Sequence, residues 1–232
     1  MDTAKDARIL VLEDAIRRLN EVVGNRKIKM HIDYSRLTET LKLAGSLIYD
    51  IKYSYLPAPQ VADLEATSKI VNQFAVLNQT LDEGIKKTGY KPSTTKDSLA
   101  LAEAYYSFRI GSGFERRLRN ASDDPGFAVD ILAVEVSQVQ TPAGSKNLSE
   151  CRCTDGSRVW RIATNIDGVK TDSKLCCAVL PPVEIMGIVS EAMFLGSESL
   201  PNETPLGLLG SPSETALGQA RAQVLQIVKR MI

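Results

Sequence analysis

The chain has 232 residues, with 28 Lys and Arg against 28 Asp and Glu, so its formal charge is zero. Its 44% hydrophobic and 24% charged residues are ordinary for a globular protein, and the length buries a core without disulfide or metal staples. No apolar run approaches the roughly 20 residues that span a bilayer. The charged start, Met1 to Asp6, lacks the apolar stretch of a signal peptide, so a cytoplasmic protein with no membrane partner is expected.

The single histidine, His31, excludes zinc sites built on two or more histidines and weakens Ser–His and Cys–His nucleophiles. The four cysteines stand as Cys151 and Cys153, and as the adjacent Cys176 and Cys177. Neither spacing is the CxxC of zinc knuckles or redox sites. On strands, Cys151 and Cys153 share one face while Cys176 and Cys177 face opposite sides, and buried reduced thiols are expected. No metal and no cofactor is expected.

From Lys5 to about Leu118 the apolar period is helical. Ile9, Leu12, Ile16, Leu19 and Val23 form a first stripe, stopped by Gly24 and Asn25. A basic connector, Arg26-Lys27-Ile28-Lys29, follows. Asp33 is placed to cap a second helix carrying Leu37, Leu41, Ala44, Ile48, Ile51 and Tyr55, with Pro57 and Pro59 ending it. A third segment runs from Val61 through Phe74 and Leu81 to Ile85, with Gly89 as terminator. Ser93, Thr94 and Thr95 precede a fourth, carrying Leu99, Ala102, Tyr105 and Phe108, which Gly111 and Gly113 break. Arg116-Arg117-Leu118-Arg119 reads as a solvated helix end. These helices predict a bundle over residues 1–120.

Asn120 to Gly126 is polar and ends in a Pro-Gly turn, which marks a boundary. Beyond it the period changes to two. Strands are expected from Val129 to Val136, Cys151 to Thr154, Arg158 to Ala163, Leu175 to Leu180 and Met193 to Leu195. Ser211-Pro212-Ser213-Glu214 opens a last helix, with Pro212 at its first position and an apolar stripe that must pack on barrel, bundle or a second copy.

Four segments, in order, carry a resemblance to a known family. They are Phe127 to Val139 against a strand of the form VDhRVGxI, Pro142 to Leu148 against a Pro-Asn-Ala-Asp-Lys-Leu turn, Trp160 to Ile166 as strand into turn, and Leu180 to Leu195. The last places Pro182, Gly187, Ser190 and Met193 in register with Pro-x-x-h-x-Gly-h-x-Ser-x-Gly-Met. Together they resemble the EMAP-like tRNA-binding domain, the OB-fold module of free-standing tRNA-binding proteins and of methionyl-tRNA synthetase C-termini. Lys146 carries over directly, and Ser145 or Asn147 stands near the family's Asp. Ala192 stands where the family has glycine, and Ala133 and Glu135 replace its Arg and Gly.

The resemblance implies a five-stranded OB barrel that binds tRNA by shape and backbone, without catalysis, in homodimers or attached to an aminoacyl-tRNA synthetase. The fold class expected is therefore α+β and multidomain: a bundle over 1–120, then barrel and C-terminal helix over 126–232. The residues expected to meet tRNA are Lys146, Asn147, Arg152, Arg158, Arg161, Lys170 and Ser190. Trp160 suits either a stacking platform or the core.

Charge adds a second reading. From Gly126 onward nine Lys/Arg face eleven Asp/Glu, whereas Lys86 to Arg119 holds eight against three. A barrel that has lost RNA binding and acts as an interaction scaffold, through dimerisation or partner docking, fits the acidic half. A tRNA touching the bundle's fourth helix fits the basic stretch. No phosphate-binding glycine loop, nucleophile elbow or metal spacing occurs, so an enzyme is not expected.

Overall fold

The computed structural model describes residues 2–120 and 122–231; Met1, Ala121 within the expected boundary segment, and Ile232 at its end lie outside the described residues. Six helices come first: α1 (Ala7–Gly24), α2 (Tyr34–Lys52), α3 (Ala58–Ala62), α4 (Glu65–Thr88), α5 (Thr95–Ser112) and α6 (Phe114–Leu118). Their starts follow from local chemistry. Asp6 and Asp33 accept backbone N–H bonds from Arg8 and Arg36 at 2.9 and 3.0 Å. Thr94 and Asp97 form a reciprocal capping box, and Gly89 closes α4 at φ 63.

Two expectations about these helices change. Pro57 and Pro59 do not end the second helix. It stops at Lys52, and the prolines open α3, where a missing N–H costs nothing. The third apolar segment is accordingly two helices, α3 and α4. Gly111 stays inside α5, and the break falls at Gly113. Gly111 lies flat against the fully buried Phe74 ring of α4, where a Cβ would overlap it. That contact lets the two helices approach closely.

A one-turn 3-10 helix, Pro125–Ala128, leads into the sheet. The strands are β1 (Ile131–Gln140), β2 (Ser149–Thr154), β3 (Val159–Thr164), β4 (Lys174–Ile185), β5 (Ile188–Phe194) and the short β6 (Gly207–Leu208). All pairings are antiparallel, in the order β3-β2-β1-β4-β5, with β6 beside the start of β1. β5 packs back against β3, which curls the sheet on itself. The protein is thus α+β, a helical region followed by an antiparallel sheet and a C-terminal helix, α7 (Glu214–Val228).

Two strand boundaries are corrected. β4 does not stop at Leu180 but passes through Pro181 and Pro182 to Ile185, and β5 begins at Ile188. Proline has no N–H to give the ladder, and the β4–β5 register slips between Val179 and Val183. The strand bends there rather than ending. At the last helix, Ser213 is the cap, accepting from the Ala216 N–H at 3.2 Å, so Pro212 precedes the helix.

Register explains the cysteines. Val136, Cys153 and Trp160 are cross-strand neighbours, as are Val139, Cys151 and Ile162 beyond a bulge in β1, and Leu132, Cys177 and Phe194. Cys176 faces the other way beside Ala133, yet all four thiols are buried, because α5 and α7 pack on β4. Burial pushes the thiols of Cys151 and Cys176 up to about 11, that of Cys153 to about 12, and that of Cys177 further. Helix α7 packs on the 3-10 turn and on α1 as well. Among the described residues, no helix is long and apolar enough to cross a membrane.

Candidate functional site

The seven residues singled out from the sequence separate into three groups. Lys146 and Asn147 are exposed on the 141–148 loop between β1 and β2, and Lys170 is exposed on the 165–173 loop between β3 and β4. Arg152 is exposed on β2, alternating with two buried cysteines as its parity requires, and lies opposite Arg161 of β3. Arg161 donates from Nε and Nη2 to Glu150 Oε1 at 2.9 and 2.5 Å. Its charge is therefore already matched on that face.

Arg158 and Ser190 serve the fold instead. Arg158 shares the parity of Trp160 rather than that of Arg161. It pairs with Glu191 and stacks over the Trp160 ring at 4.0 Å. Trp160 is buried, with Arg109 of α5 on the ring at 5.3 Å, so the indole belongs to the bundle–barrel junction and not to an exposed platform. The Ser190 hydroxyl accepts from the Ala163 N–H and donates to the Ala192 carbonyl, both at 3.0 Å. Glu191 likewise accepts from the Arg161 N–H at 3.2 Å. These two side chains join β5 to the outer amides of β3.

Beside this seam runs a groove of about 940 Å³. Its barrel wall comprises the Leu180–Val183 bend, Met193, Leu148 at the end of the β1–β2 loop, and Ile185 at the β4–β5 hairpin. Its other wall is α7, which contributes Gln219, Gln223 and Gln226, with Arg230 and Arg18 of α1 at the margin. The hairpin turn carries Met186 at φ 50 and Gly187 at φ 81, the pair of left-handed residues of a type I′ turn. Val183, Ile185 and Met186 leave the tip exposed and apolar. Sequence reading missed the α7 wall. The three glutamines recur at four- and three-residue steps along one helix face, which is the signal that was there to find.

The arginines before the boundary are also committed. Arg109 Nε, Arg116 Nη2 and Arg117 Nη1 all donate to the Asp130 carboxylate, at 2.6, 2.6 and 2.8 Å. Arg117 is buried, not a solvated helix end, and it also donates to the Ile110 carbonyl. Gly113 leaves room for both guanidiniums, since a Cβ there would meet Arg117 and Arg116. Burial would push the Asp130 carboxyl up, but Arg117, Arg116 and Arg109 outweigh it and hold the group at about 2. Arg119 pairs with Glu115 and Asp63. Of the basic stretch, Arg109, Arg116 and Arg117 thus lock bundle to barrel, Arg119 is paired within the bundle, and the lysines are left for a ligand.

Among the described residues, no group of three or more His, Cys, Asp or Glu gathers as a metal site. The site as built offers an apolar floor, side-chain amides and a few cations. No curated protein matches the chain. The model of a family described as an alpha helical domain matches residues 1–120, just over half of the 232. The chain belongs to that alpha helical domain family.

Proposed function

We propose that the protein is a non-catalytic, cytoplasmic RNA-binding accessory factor that holds tRNA by shape and backbone and supplies it to an enzyme such as an aminoacyl-tRNA synthetase. One observation carries the reading. The groove beside the β3–β5 seam is bounded by the β1–β2 loop and the β4–β5 hairpin, the two loops with which OB barrels grip oligonucleotides. The strand order and the resemblance from Phe127 to Leu195 support it. In this reading Gln219, Gln223 and Gln226 bond sugar and base edges, the Leu180–Val183 bend packs against them, and Lys146, Arg152, Lys170 and Arg230 meet phosphates.

A second reading has its own observation. Arg158 and Arg161, which the sequence led us to expect at tRNA, are matched by Glu191 and Glu150, while Val183, Ile185 and Met186 present an apolar tip. A barrel docking a protein partner through that tip fits this arrangement.

Bulk tRNA binding, followed by filter retention over a salt series, separates the two. Saturable binding that weakens with salt, and falls in Lys146→Glu/Arg152→Glu, supports the RNA reading. Folded protein that retains no tRNA at low salt overturns it and favours the scaffold.

A further inference from the structure

A group of exposed cations lies on the bundle, away from its junction with the barrel. The 25–33 connector after α1 folds onto the end of α4. Gly84 leaves space for Met30 and Ile32, whose nearest atoms would sit 3.2 and 3.4 Å from a Cβ there. Lys29 reaches toward Asp97 in the first turn of α5, 3.9 Å away. The connector, the end of α4 and the starts of α2 and α5 therefore meet at one pole of the bundle. The junction with the barrel, at Arg109, is near the other end of α5, a helix of 18 residues or about 27 Å.

This pole holds a cleft of about 990 Å³. Arg26, Lys29, Arg36 and Lys87 line it, against Asp33 and Glu83. Asp33 is occupied in capping α2, and Glu83 accepts from Gln79 at 2.7 Å. Lys86 and Lys91 add exposed charge beside it. Among the described residues, Arg26, Arg36, Lys86 and Lys87 form no ion pair. Elsewhere carboxylates sit on Arg109, Arg116, Arg117, Arg119, Arg158 and Arg161. In a chain of 28 cations and 28 anions, this pole gathers four cations that no carboxylate pairs among the described residues.

The cleft is also held in shape. Arg26 takes φ 46 at the end of α1, a position that usually falls to glycine. The Lys27 N–H reaches back to the Val22 carbonyl at 2.9 Å, and the Arg26 guanidinium lies over the Tyr34 ring at 5.5 Å. That stack covers one face of the Tyr34 ring, so the surface offers point charges and a planar guanidinium, with the exposed His31 imidazole beside them. Such a surface suits a string of phosphates, whose contacts carry no sequence information.

We propose that this pole is a second RNA-binding surface, gripping the phosphodiester backbone without regard to sequence. It extends the RNA reading to the bundle and rests on that reading only for the kind of polymer.

The test uses the full chain, a labelled single-stranded uridine 20-mer and two double variants. Arg36→Glu/Lys87→Glu alters the pole, and Lys146→Glu/Arg152→Glu alters the barrel. Glu at position 36 falls in the first turn of α2, where an acidic side chain is favourable, so the fold is preserved. Lys87→Gln supplies a milder variant, and Trp160 fluorescence checks folding. Each lost phosphate contact removes about 0.7 from the slope of log K against log salt. Two contacts remove about 1.4, which is about 25-fold weaker binding at 0.1 M salt.

That loss in the pole variant, with a smaller one in Lys87→Gln, supports the proposal. If the barrel variant binds as the parent does while the pole variant fails, the groove reading falls and the pole stands. A pole variant that binds RNA as the parent does overturns the proposal. So does displacement of the RNA by polyglutamate of matched charge, which assigns the pole to an acidic protein.

Discussion

Asp130 is the residue on which the union of bundle and barrel most depends. Its carboxylate sits 4% exposed at the entrance to β1 and takes hydrogen bonds from Arg109, Arg116 and Arg117. Replacing it by Asn keeps the shape and removes the charge, leaving the buried Arg117 guanidinium without a counter-ion. The folded carboxyl is held at about 2 against an ordinary 3.8, and each unit is worth about 1.4 kcal/mol, so ionised Asp130 contributes about 2–3 kcal/mol at pH 7. Breaking a buried pair from one side typically costs 3–5 kcal/mol. Asp130→Asn is expected to lose about 3 kcal/mol.

Urea unfolding measures this, with helix circular dichroism and Trp160 fluorescence as probes. Trp160 is the only tryptophan and lies between Arg109 and Arg158 at the junction. The folded pKa is depressed, so the stabilisation is present above pH 3.8 and is lost as pH falls toward 2. The gap between parent and variant should therefore narrow by about 1 kcal/mol between pH 7 and pH 3. Adding Arg117→Met to Asp130→Asn removes the orphaned charge and should recover most of the loss. A loss below about 1 kcal/mol at pH 7, or a gap equally wide at pH 3, would refute this account of the junction.

Three further outcomes are expected. Gly111→Ala should destabilise by about 1–3 kcal/mol in thermal or urea unfolding, because overlap with Phe74 exceeds the gain of about 1 kcal/mol in helix propensity. Ser190→Ala should cost about 1–3 kcal/mol, since it leaves the Ala163 N–H of the seam without its acceptor; unchanged stability would show that the seam closes some other way. At pH 8 the four thiols should react with a disulfide reagent only after unfolding, because each is buried and held protonated, and rapid reaction of the native protein would contradict the register of β2 and β4.

The parts legible in the sequence are those whose cause is local. Asp33, Gly89 and the Ser93–Thr95 cluster announce helix ends because the bonds that cap a helix lie within a few residues. Arg152 between two cysteines gives its own orientation by parity, and the structure keeps it. Pro57 and Pro59 misled because proline says that an N–H is missing, not whether the chain stops or starts there. At Pro57 and Pro59 a helix starts. At Pro181 and Pro182 a strand bends and goes on.

Ion pairs were illegible because their partners come from afar in the chain. Arg158 meets Glu191 across the barrel seam, and three arginines from α5 and α6 converge on Asp130 of the next element. Neither contact has the three- or four-residue spacing that marks a pair along one helix, so no local pattern announces it. The same is true of the groove, whose second wall arrives with α7 after the strands are complete.

A formal charge of zero sums over groups in opposite situations. Phosphates compete for cations that are exposed and unpaired, and a guanidinium already bonded to a buried carboxylate is not available to them. Arg117 and Lys87 count equally in the sum, but one is enclosed with Asp130 and the other lines an open cleft with no ion-pair partner among the described residues. Removing the paired cations from the account changes the map. Positive charge is left on the loops around Lys146 and Lys170, on Arg152, and most densely at the pole formed by the 25–33 connector and the end of α4. The basic stretch from Lys86 to Arg119 thus does two jobs in two places. Three of its arginines fasten the bundle to the barrel, and its lysines stand at the far end, where an anion from outside can meet them.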